Sequence, residues 1–259
     1  MKQSDELIAA FDLRRYRFIH LIGGGGKTTI MLAMARALSE RGKRVIATTS
    51  TRVRRSEGEA LGKPLLVPDV GELAEKARAA LARRNPIVLA RMVEGEKLLG
   101  FPAEALEHLS AEGVADTLIV EADGAAGRPL KAHAPWEPVI ASSADLVIIV
   151  LGAWCLGQPL DEKTVHRAER FAERVRCPLG TPLTAEHVVA ILFHEDGYLR
   201  SVPSKADVMV GITSRADNDG GLARQVAAAD VNRRLKRVVR WESVVDMRES
   251  CLARLVGHE

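Results

Sequence analysis

Aromatic side chains are scarce in this chain. Ten Phe, Tyr and Trp residues make up 4% of its 259 residues, and they are scattered. A single-strand nucleic-acid binder needs aromatic platforms for base stacking and a clustered basic stripe for the phosphates. Neither is present: 37 basic residues against 34 acidic leave a formal net charge of +3. Nucleic acid is therefore not expected as a partner. Cysteine is scarce too. Cys155, Cys177 and Cys251 are odd in number, far apart and free of any C-x-x-C spacing. That argues against a disulfide framework or a zinc site and suits a reducing compartment. No apolar run reaches membrane-spanning length, and residues 1–17 carry Asp5, Glu6 and Asp12 where a signal peptide would have its apolar core. The expectation is a cytoplasmic protein with no membrane partner. Internal repeats and low-complexity linkers are also missing.

What the chain does have is core material: it is 47% hydrophobic and 27% charged. The apolar residues alternate between two periods. A short amphipathic helix is predicted at 5–14, and a strand at 18–22 runs straight into four glycines. After Lys27, residues Ile30, Met31, Met34, Ala35 and Leu38 fall at helical spacing, and Gly42 sits where a C-terminal cap belongs. A second strand follows at 44–48. Further strands are predicted at 64–67, 87–92, 117–121, 146–151, 207–212 and 238–241. Further helices are predicted at 71–84, 103–109, 162–175, 185–193 and 221–235. Strands alternating with helices predict a three-layer α/β/α fold with a mostly parallel sheet, P-loop NTPase-like. We read residues 1–259 as one such domain, leaving open whether about 155–205 form a small helical subdomain.

The stretch Gly23-Gly24-Gly25-Gly26-Lys27-Thr28-Thr29 is the leading functional candidate. Glycines let backbone N–H groups converge on phosphate oxygens without Cβ obstruction, and the following helix adds its free N–H groups and positive dipole end. In such a loop Lys27 reaches the β- and γ-phosphates, and the Thr28 hydroxyl is a ligand of Mg²⁺. The common G-x-x-x-x-G-K-[ST] pattern wants glycine six places before the lysine, where Leu21 stands. The shorter G-x-x-G-K-T from Gly23 to Thr28 resembles the loop of Mur-type ATP-dependent amide ligases. ATP or GTP with Mg²⁺ are the expected cofactors.

Such a loop needs an acid to orient metal and water, at the carboxyl end of a neighbouring strand. Glu121 and Asp123, ahead of Gly124, fit: two apart on a strand, they point the same way. One is expected on the metal, and the other on water or substrate. The second strand ends in Thr48-Thr49-Ser50-Thr51-Arg52. There Thr48, Thr49 and Arg52 are candidates for phosphate or carboxylate contacts, while Arg54 and Arg55 are read as a solvated loop.

Several stretches together resemble the YqeC family, proteins associated with maturation of selenium-dependent molybdenum hydroxylases. They are Ile22 to Thr29, Ala47 to Arg52, Val120 to Lys131, Glu137 to Ile140 and Val165 to Arg167, spread in order over about residues 18–217. The resemblance implies a P-loop-like protein that binds ATP or GTP and assists assembly or insertion of a selenium-containing molybdenum cofactor. It puts Gly23 to Thr29 on phosphate and brings Glu121, Asp123 and Lys131 into the same site. It also marks His166 and Arg167, whose imidazole and guanidinium suit an anionic ligand such as a pterin phosphate. The implied partners are the nucleotide, a molybdopterin-type cofactor or selenium metabolite, and a molybdenum hydroxylase client. One departure concerns base selectivity. Relatives tend to carry an Asn-Lys-x-Asp-like run after a late strand, and here that place reads Ser214-Arg215-Ala216-Asp217. Asp217 keeps an acceptor for a base edge, but the companion amide is gone. Three activities stay open: an NTP-hydrolysing accessory protein, a ligase or transferase acting through an acyl or selenium phosphate, and a non-hydrolysing nucleotide-gated binding protein.

Overall fold

A computed structural model describes residues 3–214, 219, 221–242 and 253–256. Among these residues nine strands form the central sheet. In chain order they are β1 (Phe18–Gly23), β2 (Val45–Thr49), β4 (Leu65–Leu66), β5 (Ile87–Ala90), β8 (Thr117–Glu121), β10 (Leu146–Gly152), β12 (Asp207–Ser214), β13 (Arg237–Glu242) and β14 (Ala253–Val256). Three short strands, β3 (Arg52–Arg54), β6 (Met92–Glu94) and β7 (Lys97–Leu99), make a separate antiparallel sheet in the order β3-β7-β6. A parallel pair, β9 (Leu130–Lys131) and β11 (Val165–His166), stands apart from both. The helices are α1 (Gln3–Ala10), α2 (Lys27–Ser39), α3 (Arg55–Gly58), α4 (Leu73–Leu81), α5 (Ala103–Ala111), α6 (Ala168–Val175), α7 (Ala185–Phe193) and α8 (Leu222–Ala229).

The central order is β14-β13-β12-β10-β1-β8-β2-β5-β4, parallel throughout except for β14 at one edge. Strands β1, β2, β5, β8 and β10 are buried along their whole length, as their aliphatic runs require when helices cover both faces. Alternate residues part to opposite sides. Ile19 and Leu21 of β1 join Ile148 and Val150 of β10 against Phe11, Ile30, Met34 and Leu38 of the α1–α2 side. On the other side, Phe18, Leu118 and Val120 meet Leu73, Ala77, Leu106 and Leu109 of α4 and α5. Further along, Val147, Ile149, Val208 and Val210 meet Phe171, Val188, Ile191 and Val226 of α6, α7 and α8. The fold is therefore a three-layer α/β/α arrangement. Residues 155–205 contribute Phe171, Val188, Ile191 and Tyr198 to the same core cluster as the sheet. Among the described residues no helix is long and apolar enough to cross a membrane.

The chain leaves β1 by α2 and enters β2 two places away, with β8 between them. From β1 it extends toward β4 on one side and toward β14 on the other. The carboxyl end of β1 thus lies where strand order changes direction, the place where open α/β sheets form their ligand crevice.

Several predicted boundaries move. The 87–92 strand ends at Ala90, because Met92–Glu94 turns off into the hairpin with β7. The 162–175 helix loses its first turn to β11, and Arg167, at φ 62, starts α6 at Ala168. The 221–235 helix stops at Ala229, where Asp230 accepts from the Arg234 and Leu235 amides and turns the chain. The strands β3, β6, β7, β9, β11 and β14 have no counterpart in the sequence reading. Each is only two to four residues long, too short for an alternation to register. Cys155 and Cys177 are buried free thiols; Cys251 lies outside the described residues.

Candidate functional site

The glycine loop is wedged against its neighbours. Gly23, Gly25 and Gly26 have φ of 100°, 75° and 103°, a region costly for any residue with a Cβ. Gly24 is required for a different reason: a Cβ there would stand 2.5 Å from the Pro129 carbonyl oxygen. This tight seat uses up part of the cradle. The Gly23 N–H donates to Asp123 at 2.9 Å, the Gly24 N–H to the Val150 carbonyl at 2.9 Å and the Gly25 N–H to the Arg128 carbonyl at 2.9 Å. The donors left for a ligand are those of Gly26 and the first turn of α2. No side chain caps that helix, and its first internal bond runs from the Ile30 N–H to the Gly26 carbonyl at 3.1 Å. The amides of Lys27, Thr28 and Thr29 precede that bond and have no carbonyl behind them within the helix. The expected seven-residue set of phosphate donors narrows to Gly26, Lys27, Thr28 and Thr29.

Behind the loop lies a buried charge network centred on Asp123, which is 0% exposed. Its oxygens accept from Gly23 N–H and from His133 Nε2 at 2.6 Å, and face Lys27 Nζ at 3.1 Å and Lys131 Nζ at 3.4 Å. Burial by itself would raise the Asp123 pKa, but the charges of Lys27 and Lys131 and the His133 bond hold it well below the usual carboxylate range. Lys27 shows the converse. Burial works to lower its pKa, and the charges of Asp123 and Glu121 outweigh it and leave it raised. His133 is lowered, by burial first, against the pull of Asp123. Its ring is neutral at neutral pH, so Nε2 carries the proton it shares with Asp123. Tyr198 stands edge-on to His133 at 5.0 Å and accepts from the Lys131 amide at 3.1 Å.

Lys131 links this network to a second acid. Its Nζ donates to the Gly124 carbonyl at 2.6 Å and to Glu137 at 3.0 Å, and Arg167 donates to the same Glu137 oxygen at 2.5 Å. Burial would raise the Glu137 pKa, but Arg167 and Lys131 reverse the shift and leave it lowered. Arg167 reaches Glu137 from a left-handed backbone position, φ 62, that a non-glycine residue seldom adopts.

A cleft of about 480 Å³ opens over the loop. Of the sequence candidates, Gly25, Gly26, Lys27, Thr28, Arg52, Glu121, Gly124, His166 and Arg167 line it. Thr28 Oγ1 donates to Glu121 Oε2 at 2.6 Å on its wall. Gly23, Gly24, Asp123 and Lys131 lie behind the wall, in the loop seat and the charge network. Thr29 is half-buried on α2 outside the lining. Thr48 and Thr49 are buried, and their hydroxyls donate to the Leu89 and Glu121 carbonyls. Asp217 lies outside the described residues.

Comparison with known proteins decides the family. Residues 19–169, more than half of the chain, match the family described as "YqeC protein". The chain is also 30% identical over 198 residues to "Uncharacterized protein YqeC" of Escherichia coli (strain K12), covering 73% of each chain. The chain belongs to the YqeC family.

In this YqeC family member the cleft also contains residues that motif reading passed over. Thr51 comes from the turn before β3, Val53, Arg54 and Lys97 from the paired strands β3 and β7, Arg128 from the loop after β8, and Glu137 from the 132–141 segment. The sequence places Arg54 in a solvated loop, and it is exposed on the cleft. Only the register of β3 with β7 and the return of 124–128 toward the glycine loop bring these side chains to one place. His133 and Tyr198 had no sequence signal: each is a lone polar residue whose partner is 10 and 67 residues away. Glu137 had one, through the Glu137-Pro138-Val139-Ile140 run of the YqeC family.

Proposed function

We propose that the protein binds a nucleoside triphosphate, ATP or GTP, with Mg²⁺, the phosphates resting on the N-terminus of α2. The observation that carries this is the uncapped first turn of α2, whose Gly26, Lys27 and Thr28 line a cleft that holds six lysines and arginines against two glutamates. Free N–H groups, a helix dipole and a cationic surplus all favour a polyanion.

The residues present fit Mg²⁺. Thr28 and Glu121 offer adjacent oxygens on the cleft wall, the hard donors this ion takes. Asp123 does not belong to that set in this geometry, because both its oxygens serve Gly23, Lys27, His133 and Lys131. Bound with nucleotide, the metal supplies charge neutralisation at the phosphates. The chain's own part is positioning. The α2 amides orient the phosphates, Lys27 keeps a positive charge at the root of the loop, and Glu121 orients water for hydrolysis. A role in maturation of a selenium-containing molybdenum cofactor or its hydroxylase comes from the family resemblance, and it supplies the physiological setting of the proposal.

Calorimetry with ATP and GTP, with and without Mg²⁺, tests the reading. Thr28→Ala should weaken Mg²⁺-dependent binding by about tenfold, the size expected when a hydrogen bond to a charged group is lost. Equal affinity in the variant, and no Mg²⁺ effect in the parent, would sink it. Product analysis then separates the activities. Free phosphate alone marks an NTPase, a phosphorylated or conjugated small molecule marks a transferase or ligase, and tight binding without turnover marks a nucleotide-gated carrier.

A further inference from the structure

The hairpin sheet has two unlike faces. Val53 and Leu98 are buried against Ala90, with Val93 packed on them. By the two-residue period of strands, Arg52, Arg54, Glu94 and Lys97 present the opposite face. Arg52, Arg54 and Lys97 line the cleft. The register places Arg54 directly across from Lys97. Like charges directly opposite repel and weaken a strand pair. The sheet's own carboxylate does not relieve this: Glu94, in the same row as Lys97, pairs with Arg52 at 3.2 Å.

The other cations of the cleft have partners. Lys27 has Asp123, Arg128 donates to the Glu162 and Ala126 carbonyls, and Arg167 holds Glu137. Among the described residues, Arg54 and Lys97 make no ion pair or side-chain hydrogen bond, and neither does the His166 ring. The Arg54 guanidinium extends toward the facing wall, 3.9 Å from where a Cβ on Gly127 would stand. Two uncompensated cations in one register row form an arrangement whose internal repulsion an anion would remove.

We infer that Arg54 and Lys97 form a subsite for the phosphate of a second substrate, a small phosphomonoester held on the hairpin side of the cleft. Its placement beside a nucleotide rests on the function proposed above. A dianion matches two adjacent cations, whereas a monocarboxylate would leave one of them uncompensated. The guanidinium supplies a planar fork for two phosphate oxygens, and the ammonium supplies a point charge.

The probe is phenyl phosphate, titrated by calorimetry into the free protein and into protein saturated with Mg²⁺ and a non-hydrolysable ATP analogue. Phenyl phosphate should bind both forms. The double variant Arg54→Ala/Lys97→Ala should lose about tenfold or more of that affinity, a markedly larger factor than the loss of analogue affinity that follows from the weaker positive field of the cleft. Both side chains are exposed, so the variant should keep its fold, which circular dichroism checks. Three results overturn the subsite: no phenyl phosphate binding to the parent, displacement of phenyl phosphate by the analogue, or a parallel loss of analogue affinity in the variant. If the analogue itself fails to bind, the nucleotide reading falls. The subsite then stands or falls on phenyl phosphate binding to the free protein and its loss in the variant.

Discussion

Asp123 carries more of this site than any other side chain. Two lysines, a histidine and a backbone amide converge on one carboxylate that has no contact with water. Removing one partner from a buried charge group costs far more than the group contributes intact, because the remaining charges stay desolvated. Asp123→Asn should therefore destabilise the protein by about 3–5 kcal/mol in urea unfolding. An effect below about 1 kcal/mol would mean the network is better hydrated than its burial indicates. The carboxyl also sets a pH dependence. Its folded pKa lies below the ordinary 3.8. A depressed pKa contributes its full stabilisation above the unfolded value and loses it as pH falls through the folded one. Stability should therefore decline on acidification below about pH 4, and less steeply in Asp123→Asn. Denaturant midpoints measured from pH 6 down to pH 2 read this difference.

At the scale of the element, the glycine loop acts as a fitted joint between β1, the end of β10 and the 128–129 segment. Gly24 in this loop and Gly124 in the segment after β8 separate a packing role from a ligand-facing one. A Cβ on Gly24 would meet two backbone oxygens, at 2.5 Å and 2.6 Å, which no rotamer change can relieve. Gly24→Ala should lower stability by about 1–3 kcal/mol, the usual cost of overpacking. At Gly124 nothing lies within 4 Å of an added Cβ, yet the residue lines the cleft. Gly124→Ala should change the stability by no more than about 0.5 kcal/mol, the small range of surface changes, as read by thermal unfolding. Any loss of nucleotide affinity in that variant then reports close approach of ligand to the loop. A large destabilisation by Gly124→Ala would contradict the open space seen beside it.

Across the whole molecule, the segment from 155 to 205 shares one core with the sheet. Phe171 is fully buried among Val147, Ile149, Val188 and Ile191. Phe171→Ala should cost about 3–5 kcal/mol, and the loss should appear in one unfolding transition common to far-UV and near-UV signals. Two separated transitions would show that the helical segment melts on its own. Charge is distributed unevenly on the same scale. The chain carries only +3 overall, while six cations face two acids in the cleft. Polyanion affinity should therefore fall as ionic strength rises and the local field is screened.

The sequence alone determined the three-layer architecture, because burial of parallel strands on both faces demands long aliphatic runs such as Leu146 to Leu151. It also determined the strand–glycine–helix unit at Phe18 to Ser39, where every signal is local, and it marked the family through runs such as Val120 to Lys131. Only the tertiary structure decided which of these groups face a ligand. Glu121 and Asp123 look equivalent on paper, two residues apart, but β8 ends between them, and Asp123 turns inward to hold Gly23 and Lys27. The amides of Gly23, Gly24 and Gly25 read as free donors until Asp123, Val150 and Arg128, each at least 100 positions along the chain, are folded against them. Arg54 reads as solvated, and Lys97 carries no signal, until the β3–β7 register sets them side by side. Propensity and periodicity act over a few residues, whereas desolvation and charge pairing depend on which distant segments share a volume, and that information exists only once the chain has folded.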